Sequence, residues 1–273
     1  MQIDLEPYEW LMPLAPWESP QTLRAVITSL ELQTCPAQAL VVSVDGRLSP
    51  ELAQVLSETI IPLRILEAPI WQGTGAVLAR GLEACSTRWV LRCDADDMSH
   101  PQRAERQLRY LARHPNTAVL GCQLAERRQD ASVPDAVRCV PTSQHEIQRL
   151  MRWRNPINHP TVALRREAVM AAGNYRSCPA FEDWDLWLRM ASRGATFANL
   201  PQPLVTASVG EAHLSRRHGS RYVIRELRFF RYAAFERLLP WRQVVLLMIT
   251  RVPWRLLPQA WLSALMGSLR SNR

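Results

Sequence analysis

The sequence predicts an α/β fold, with a mostly parallel sheet flanked by helices and a helical appendage at its C-terminal end. Short apolar runs alternate with segments of helical periodicity, which is the pattern of strands joined by crossover helices. Polar turns follow two of these runs, at Asp45 and at Asp94. The alternation fades after about residue 201, so we predict an α/β domain over residues 1–205 and a helical tail over residues 206–273.

The predicted strands share a short length and a high content of apolar side chains. They are residues 10–14, 39–44, 88–93 and 117–121. Helices are expected between them, one beginning at Ser19 and Pro20, one ending near Cys85 and one beginning at Pro101. Because ligands bind at the carboxyl ends of parallel strands, Asp45 and the acidic loop after residue 93 mark the expected site.

Signals for helix ends continue through the second half of the chain. Ser143 and Glu146 have the spacing of a capping box, while Gly173 and Gly194 are typical of the residue that follows a helix. Over residues 219–270 the pattern predicts helices alone. Three prolines are expected to break them: Pro240, Pro253 and Pro258.

The composition limits the class of protein. A chain of 273 residues of which 47% are hydrophobic forms a sizeable core, which argues against general disorder. Six scattered cysteines without a C-x-x-C pair favour neither a zinc site nor a disulfide framework, and they indicate a reducing compartment. The N-terminus has Asp4 and Glu6 where a secretory signal has basic residues, so we expect no export and a cytoplasmic location.

The loop Asp94-Ala95-Asp96-Asp97 crowds three carboxylates directly behind an apolar strand. Their mutual repulsion is unfavourable unless a cation lies among them, and Mg²⁺ or Mn²⁺ completed by diphosphate oxygens would satisfy them. An acidic surface turn that caps the following helix explains the spacing equally well.

A second acidic cluster is flanked by aromatic residues. It consists of Glu182, Asp183 and Asp185, interleaved with Phe181, Trp184 and Trp187. Apolar walls raise the pKa of a carboxyl group toward values useful for a general base, and aromatic faces suit a sugar ring. The alternative is that acidic residues at this position stabilise the dipole of a helix N-terminus.

Six short motifs occur in a fixed order along nearly the whole chain. They are Ser29-Leu30-Glu31-Leu32-Gln33-Thr34, Val44-Asp45-Gly46, Gly73-Thr74-Gly75, Asp94-Ala95-Asp96-Asp97, Asn155-Pro156-Ile157-Asn158-His159-Pro160-Thr161 and Phe181-Glu182-Asp183-Trp184-Asp185-Leu186-Trp187. Each is weak alone, but the ordered set resembles the family 2 glycosyltransferases with the GT-A fold. The resemblance is greatest to bacterial exopolysaccharide-type members such as the amylovoran biosynthesis glycosyltransferases.

The resemblance implies a donor site at the carboxyl ends of the strands. Pro13, Asp45 and Asp94 are expected on the nucleotide side, and Asp96 together with Asp94 is expected to hold Mg²⁺ or Mn²⁺. The implied donor is a nucleoside-diphosphate sugar, with a UDP-sugar favoured. Three departures from the family pattern lie on this nucleotide side and bear on the identity of the donor. Val44 precedes Asp45 where members usually have a second acidic residue, and Trp71 and Ala79 stand where asparagine is common.

The resemblance also implies an inverting transfer. Asp183 would deprotonate the acceptor hydroxyl, with Glu182 as the alternative base, and Trp184, Asp185 and His159 are candidate acceptor contacts. A lone loop histidine such as His159 is also explained by a structural role. The implied acceptor is a saccharide, free or carried on polyprenyl diphosphate, in the synthesis of a surface polysaccharide or exopolysaccharide.

The tail carries the basic excess of the chain. Residues 211–273 hold 12 arginines against three glutamates, a surplus of +9, whereas residues 1–210 hold 21 arginines against 22 acidic residues. The uncharged apolar run at 244–250 is too short to cross a bilayer, but its neighbouring tryptophans and arginines suit the headgroup boundary. We therefore expect peripheral binding to the cytoplasmic face of the cell membrane through the C-terminal helices. Packing of these helices on the catalytic domain or on a second subunit is the alternative.

Three other functions are weighed against transfer. A catalytically silent sugar- or lipid-binding module of the same fold is consistent with the altered nucleotide-side residues. A nucleotidyltransferase is disfavoured, because residues 12–17 contain neither a glycine nor a basic residue for a phosphate loop. Nucleic-acid binding is not expected, since the basic tail is too apolar and too rich in proline to follow a phosphate backbone.

Overall fold

The computed structural model of the chain describes residues 5–128, 135–178, 180–209 and 219–256. The chain divides into two compact units, residues 1–209 and residues 210–273. The last strand of the first unit continues to Val209, so residue 205, where we placed the domain limit, lies inside that strand.

The first unit alternates strands and helices in its N-terminal half. Its strands within the described residues are β1 (Tyr8–Leu14), β2 (Ala39–Val44), β3 (Leu63–Leu66), β4 (Trp89–Arg92), β5 (Asp97–Ser99), β6 (Thr117–Arg128), β7 (Ala136–Arg138), β8 (Ala163–Arg165) and β9 (Thr196–Val209). Its helices are α1 (Pro20–Glu31), α2 (Pro50–Ser57), α3 (Thr74–Ala84), α4 (Arg103–Arg113), α5 (Gln144–Met151), α6 (Arg166–Ala171) and α7 (Glu182–Ser192). A single 3₁₀ turn, His159–Thr161, precedes β8.

All nine strands form one sheet, in the order β3-β2-β1-β4-β8-β6-β9-β5, with β7 paired to β6. The first four strands of this order are parallel, as the alternation of strands and helices predicts. Beyond β4 the sheet is mixed, because β8 runs antiparallel to both β4 and β6, and β5 runs antiparallel to β9. The strands β5, β7 and β8, each of three residues, are too short for the sequence pattern to reveal.

Helix ends follow the local sequence signals. The Ser19 side chain accepts a hydrogen bond from the N–H of Thr22 and Pro20 occupies the first turn, so α1 begins as predicted. Gly173 and Gly194 follow α6 and α7 with φ of +86° and +78°, the left-handed conformation in which glycine is favoured at a helix end. The helix expected at Pro101 begins two residues later, at Arg103.

Helix α3 lies unusually close to the sheet. A Cβ atom added to Gly81 would fall 2.3 Å from Cδ1 of Leu11 in β1 and 3.1 Å from Cβ of Ser43 in β2. The Ser43 hydroxyl also donates a 2.7 Å hydrogen bond to the carbonyl of Val77. Because α3 approaches so closely, its N-terminus is held near the carboxyl ends of β1 and β2, where the site is expected.

The second unit contains two helices among its described residues, α8 (Ser220–Phe235) and α9 (Trp241–Leu256). Helix α9 begins directly after Pro240, as predicted, but it continues through Pro253, so the predicted break at Pro253 is wrong. Pro258 lies outside the described residues. The fully buried Glu226 of α8 forms ion pairs with Arg251 and Arg255 of α9, which supply the charge that a buried carboxylate requires. No helix in the described part of the chain has the length and apolar character to cross a membrane.

Candidate active site

The acidic loop connects β4 to β5 and brings three carboxylates together. One oxygen from each of Asp94, Asp96 and Asp97 lies within 4.8 Å of the other two. Asp97 is buried at the start of β5, where it pairs in register with Ala207 of β9, whereas Asp96 is exposed. Arg103 of α4 supports both ends of the loop, since it donates hydrogen bonds to the carbonyl of Arg92 and to the hydroxyl of Ser99.

The charge of this loop is partly suppressed by a proton. Burial, together with repulsion from Asp94 and Asp96, raises the pKa of Asp97 to about 8, although Arg92 and Arg103 oppose the rise. A divalent cation would take the place of this proton. Three carboxylates within reach of one point are the hard oxygen donors that Mg²⁺ and Mn²⁺ prefer, so these residues fit the expected metal.

Arg92 is a site residue that no motif in the sequence predicts. It ends β4, its side chain is 5% exposed, and its Nη2 lies 2.5 Å from Oδ1 of Asp94. Its Nε and Nη1 are buried without a hydrogen-bond partner. Burial works to lower the pKa of Arg92, but its acidic neighbours outweigh burial and raise it: Asp94, Tyr175, Glu182 and Asp97. The one signal in the sequence is an arginine inside an apolar run that is predicted to be buried.

Asp183 lies in the first turn of α7, and both of its carboxylate oxygens accept hydrogen bonds. Oδ1 accepts from the N–H of Trp184 at 2.7 Å, and Oδ2 accepts from Nδ2 of Asn155. Burial raises the pKa of Asp183 in spite of these two donors and of Arg92. For the adjacent Glu182, burial and then the charge of Asp183 raise the pKa to about 7. A raised pKa makes a carboxylate a stronger base, so both carboxyl groups are candidates for the general base.

The acidic loop and the start of α7 belong to one site. Arg92 stabilises the ionised forms of Asp97, Glu182 and Asp183, and Asp94 raises the pKa of Glu182 by repulsion. Gly75, in the first turn of α3, allows α3 to pack closely against the chain around Arg176 and Glu182. A Cβ atom at this position would fall 2.2 Å from the carbonyl oxygen of Arg176 and 3.4 Å from Cβ of Glu182.

His159 lies beside the carboxylate of Asp183. Its Nδ1 is 3.8 Å from Oδ2 of Asp183, and its Nε2 forms a 2.9 Å hydrogen bond with the hydroxyl of Tyr175. Burial and the charge of Arg92 hold the pKa of His159 well below its usual range, so the ring is neutral. His159 is only 9% exposed, and this position favours support of Asp183 over direct contact with an acceptor.

The other two acceptor candidates face the interior. Asp185 is fully buried and pairs with Arg189, whose Nε and Nη2 lie 2.9 and 2.8 Å from Oδ2 of Asp185. Trp184 is 2% exposed, and its indole N–H donates to the carbonyl of Met151. These internal contacts do not favour direct contact of Asp185 and Trp184 with the acceptor, which stays a prediction. The neighbouring aromatic rings, Phe181 and Trp187, are also buried and offer no open face to a sugar.

The nucleotide-side candidates lie at the ends of β1 and β2. The Asp45 carboxylate accepts hydrogen bonds from the backbone N–H groups of Gln72 at 2.6 Å and Gly73 at 3.0 Å. Asp45 thus ties the end of β2 to the N-terminus of α3, where Gly73 has a φ of +88°. Pro13 lies in β1, in register with Ser43 of β2. Contact of Asp45, Pro13 and Asp94 with a nucleotide stays a prediction.

Sequence comparison identifies relatives over most of the chain. The profile of Glycosyl transferase family 2 matches residues 17–172, which is more than half of the chain. An uncharacterized glycosyltransferase of Haemophilus influenzae is 39% identical over 81% of this chain and 83% of its own length. An amylovoran biosynthesis glycosyltransferase of Erwinia amylovora is 33% identical over 78% of this chain and 80% of its own. A UDP-Gal:alpha-D-GlcNAc-diphosphoundecaprenol beta-1,3-galactosyltransferase of Escherichia coli is 27% identical over 96% of this chain and 95% of its own length.

Comparison with solved structures gives the same fold. The structure of S. aureus TarS 1-349 in complex with UDP-GlcNAc superposes with a TM-score of 0.64 at 15% identity, over 84% of this chain and 66% of that chain. A longer TarS structure matches with a TM-score of 0.61, and there the chain spans 40% of the other protein. These matches confirm the predicted GT-A fold. With the family profile and the relatives, they establish that the chain belongs to glycosyl transferase family 2 and is a glycosyltransferase.

Proposed function

We propose that this glycosyltransferase moves a sugar from a UDP-sugar to a saccharide carried on polyprenyl diphosphate, in the synthesis of a surface polysaccharide or exopolysaccharide. The transfer is metal-dependent and inverts the configuration at the anomeric carbon. One observation carries the proposal: the buried Arg92 acts on Asp94 and Asp97 of the acidic loop and also on Glu182 and Asp183 of α7. A cation site for the leaving group and a base for the acceptor are thereby adjacent.

Each residue has one task in this mechanism. Asp96 and Asp94 would hold Mg²⁺ or Mn²⁺, which would stabilise the charge that builds on the departing diphosphate. Asp183 accepts the proton of the acceptor hydroxyl, whose oxygen then attacks the anomeric carbon from the face opposite the leaving group. The raised pKa of Asp183 supports its role as the base, and Glu182 is the alternative. Because the His159 ring is neutral, it adds no positive charge beside Asp183 that would lower the basicity of its carboxylate.

The relatives support the identity of the substrates. The E. coli relative is named for UDP-Gal and for an acceptor on diphosphoundecaprenol, and it matches this chain almost from end to end. The TarS structure contains UDP-GlcNAc. The E. amylovora relative is named for the biosynthesis of amylovoran. A UDP-sugar and a lipid-linked saccharide are therefore the substrates that we assign to this chain.

Titration calorimetry tests the donor site. UDP, GDP and dTDP are titrated into the full chain with and without Mn²⁺. We expect UDP to bind only with Mn²⁺, and we expect Asp96→Asn to weaken this binding about tenfold or more, since it removes an anionic ligand of the ion. The exposed Glu167, in the first turn of α6, supplies the matched control Glu167→Gln, which should bind as the wild type does. Metal-independent binding, or unchanged binding by Asp96→Asn, contradicts the proposal.

A membrane surface is the proposed location of this reaction, because a polyprenyl-linked acceptor is itself held in the bilayer. Helix α8 exposes four arginines on successive turns: Arg221, Arg225, Arg228 and Arg231. Helix α9 exposes an apolar stripe that begins with Trp241, 50% exposed, and continues through Val245 and Ile249. Phe235 at the end of α8 is 70% exposed and contacts Trp241 edge to face.

Exposed apolar side chains on one helix and exposed arginines on its partner helix are the features by which helices bind the interface of an anionic membrane. Val244 and Leu247, on another side of α9, are buried, whereas Trp241, Val245 and Ile249 are not. The exposed stripe is therefore available to lipid. We propose that α8 and α9 attach the enzyme to the cytoplasmic face of the cell membrane.

A further inference from the structure

The segment from residue 155 to residue 161 is one of the ordered sequence motifs, but the proposed mechanism uses only His159 from it. Side chains of the segment form hydrogen bonds with the neighbouring strands β6 and β7. Asn158 donates to the carbonyls of Cys122 and Arg138, at 3.0 and 3.1 Å, and the Thr161 hydroxyl accepts from the N–H of Cys122 at 2.9 Å. These bonds make the segment a rigid extension of the sheet.

Close packing against Gly121 reinforces this attachment. A Cβ atom at Gly121 would fall 3.1 Å from Cγ2 of Ile157 and 3.3 Å from the hydroxyl oxygen of Thr161. The same atom would fall 2.2 Å from Oδ1 of Asn199, so a larger residue at position 121 must displace the Asn199 side chain and crowd those of Ile157 and Thr161. The start of the segment, at Asn155, is therefore held in a defined place.

Asn155 presents its amide nitrogen to Asp183. Its Oδ1 accepts a 3.1 Å hydrogen bond from the N–H of Ile157, two residues ahead, which fixes the orientation of the amide group. Its Nδ2 then donates to Oδ2 of Asp183. The other carboxylate oxygen of Asp183, its Oδ1, accepts a hydrogen bond from the N–H of Trp184 in α7. Two donors from two separate elements thus fix the plane of the Asp183 carboxylate.

We propose that Asn155 is a positioning residue, which holds the Asp183 carboxylate in the orientation that accepts the proton of the acceptor hydroxyl. This inference rests on the proposed role of Asp183 as the base. A base must meet its proton within hydrogen-bond reach and in line, so a carboxylate that rotates freely loses catalytic rate without losing substrate affinity.

Asn155 also influences the ionisation of the base. The charged and titratable groups that face Asp183 come from four parts of the chain: Arg92 of β4, His159 of the 3₁₀ turn, Tyr175 and Cys178 of the loop before α7, and Glu182 of α7. Among its neighbours, the amide of Asn155 favours the ionised carboxylate by a hydrogen bond. Loss of this donor should therefore raise the pKa of Asp183.

The test uses the isosteric variant Asn155→Asp in the full chain. Its new carboxylate still accepts from the N–H of Ile157, but an acceptor replaces the donor that faces Asp183. We expect kcat to fall about 10- to 100-fold while the KM for the donor changes less than about twofold. The acid limb of the kcat/KM profile should move to higher pH. Asn155→Ser, a smaller uncharged change, should lower kcat in the same direction, and the exposed Asn116 supplies the control Asn116→Asp.

A double-mutant cycle with Asp183→Asn separates this inference from the proposed function. If Asn155 acts through Asp183, then Asn155→Ser combined with Asp183→Asn is no slower than Asp183→Asn alone. An additive loss of rate, or an Asn155→Asp enzyme with normal kcat and an unmoved acid limb, overturns the inference and leaves the base assignment intact. Near-normal transfer by Asp183→Asn overturns the base assignment itself, and the inference with it.

Discussion

Arg92 and Asp94 form an ion pair whose cation is almost completely buried, with Nη2 of Arg92 2.5 Å from Oδ1 of Asp94. The arginine side chain is 5% exposed and the aspartate side chain 26%. Asp97 and Glu182 also lie near enough to raise the pKa of Arg92. One guanidinium therefore compensates carboxylates from two parts of the site, and its removal leaves all of them with less counter-charge.

Arg92→Met should destabilise the protein in a pH-dependent way. Removing one partner of a buried ion pair costs about 3 kcal/mol or more of unfolding free energy, and we expect a loss of this order at pH 8. At pH 5.5 the loss should be smaller, because carboxyl groups with raised pKa are then protonated and no longer need the cation. Urea unfolding at both pH values measures the difference.

The control for this variant is Arg88→Met, which removes an exposed ion pair with Glu6. It should cost no more than about 1 kcal/mol at either pH. A loss for Arg92→Met that is equal at pH 5.5 and pH 8 would show that its charge is not what stabilises the site.

Asp97 should make the metal-free protein less stable as the pH rises. An unfolded aspartate has a pKa of about 3.9, whereas the pKa of Asp97 in the fold is about 8. Between these values the folded chain binds a proton that the unfolded chain does not. The stabilisation is complete below the lower pKa and is lost as the pH rises to the higher one, at up to about 1.4 kcal/mol per pH unit.

Thermal unfolding in EDTA and in Mn²⁺, from pH 5 to pH 9, tests this dependence. Asp97→Asn cannot ionise and should have the flatter profile, while Glu167→Gln should keep the wild-type slope. Mn²⁺ should stabilise the wild type most at high pH, where the ion does not compete with the proton. A wild-type profile in EDTA that is as flat as that of Asp97→Asn contradicts the raised pKa.

The sequence predicts those features of the site that depend on local chemistry. The aspartates after β4 and Asp183 at the start of α7 stand out because charged residues follow or interrupt apolar patterns. The caps at Ser19, Gly173 and Gly194 depend on one turn of backbone and are also correct. Arg92 and Asn155 were not assigned a role, because their partners lie in other elements and no local pattern encodes those contacts.

Asp185 shows that proximity in sequence to Asp183 does not decide which way a side chain faces. It is two residues from Asp183, so in a helix the two side chains point in different directions. The spacing of Asp185 and Arg189 was available as a signal, since residues four apart on a helix form ion pairs. What the spacing did not reveal is that this pair faces the core, which depends on how α7 packs against the rest of the unit.

Asp183→Asn should abolish most transfer while leaving donor binding intact. Loss of a general base lowers kcat about 10²- to 10⁴-fold, and the affinity for UDP with Mn²⁺ should change less than about twofold. Glu182→Gln should cost less, since Glu182 is the alternative base. Transfer rates and titration calorimetry of the two variants decide between them. If Glu182→Gln is the slower enzyme, the roles of the two residues are exchanged.

Asp185→Ala should impair folding and not acceptor binding. It leaves the Arg189 guanidinium buried without its carboxylate, which costs about 3–5 kcal/mol. The control is Glu105→Ala, which removes a partly exposed pair with Arg109 at the same helical spacing and a hydrogen bond from Thr34, and which should cost about 1 kcal/mol. Denaturant unfolding measures both variants. A stable Asp185→Ala protein with a raised KM for the acceptor would support the acceptor role.

The double variant Trp241→Glu with Ile249→Glu tests membrane attachment. Both side chains are exposed on α9, at 50% and 65%, so the substitutions should leave the helix pair folded while making insertion into lipid unfavourable. We expect the wild-type chain to float with vesicles that contain phosphatidylglycerol and the variant to remain in the dense fraction.

Charge reversal on α8 and a surface control complete the membrane test. Arg228→Glu with Arg231→Glu should weaken flotation most at low salt, because attraction to anionic lipid is screened as salt rises. Ile60→Glu, at an 82% exposed position in the first unit, should float as the wild type does. If the α9 variant floats normally, the exposed apolar stripe of α9 does not bind lipid. Light scattering would then show whether the stripe joins two copies of the chain, since substitutions there would convert a dimer to a monomer.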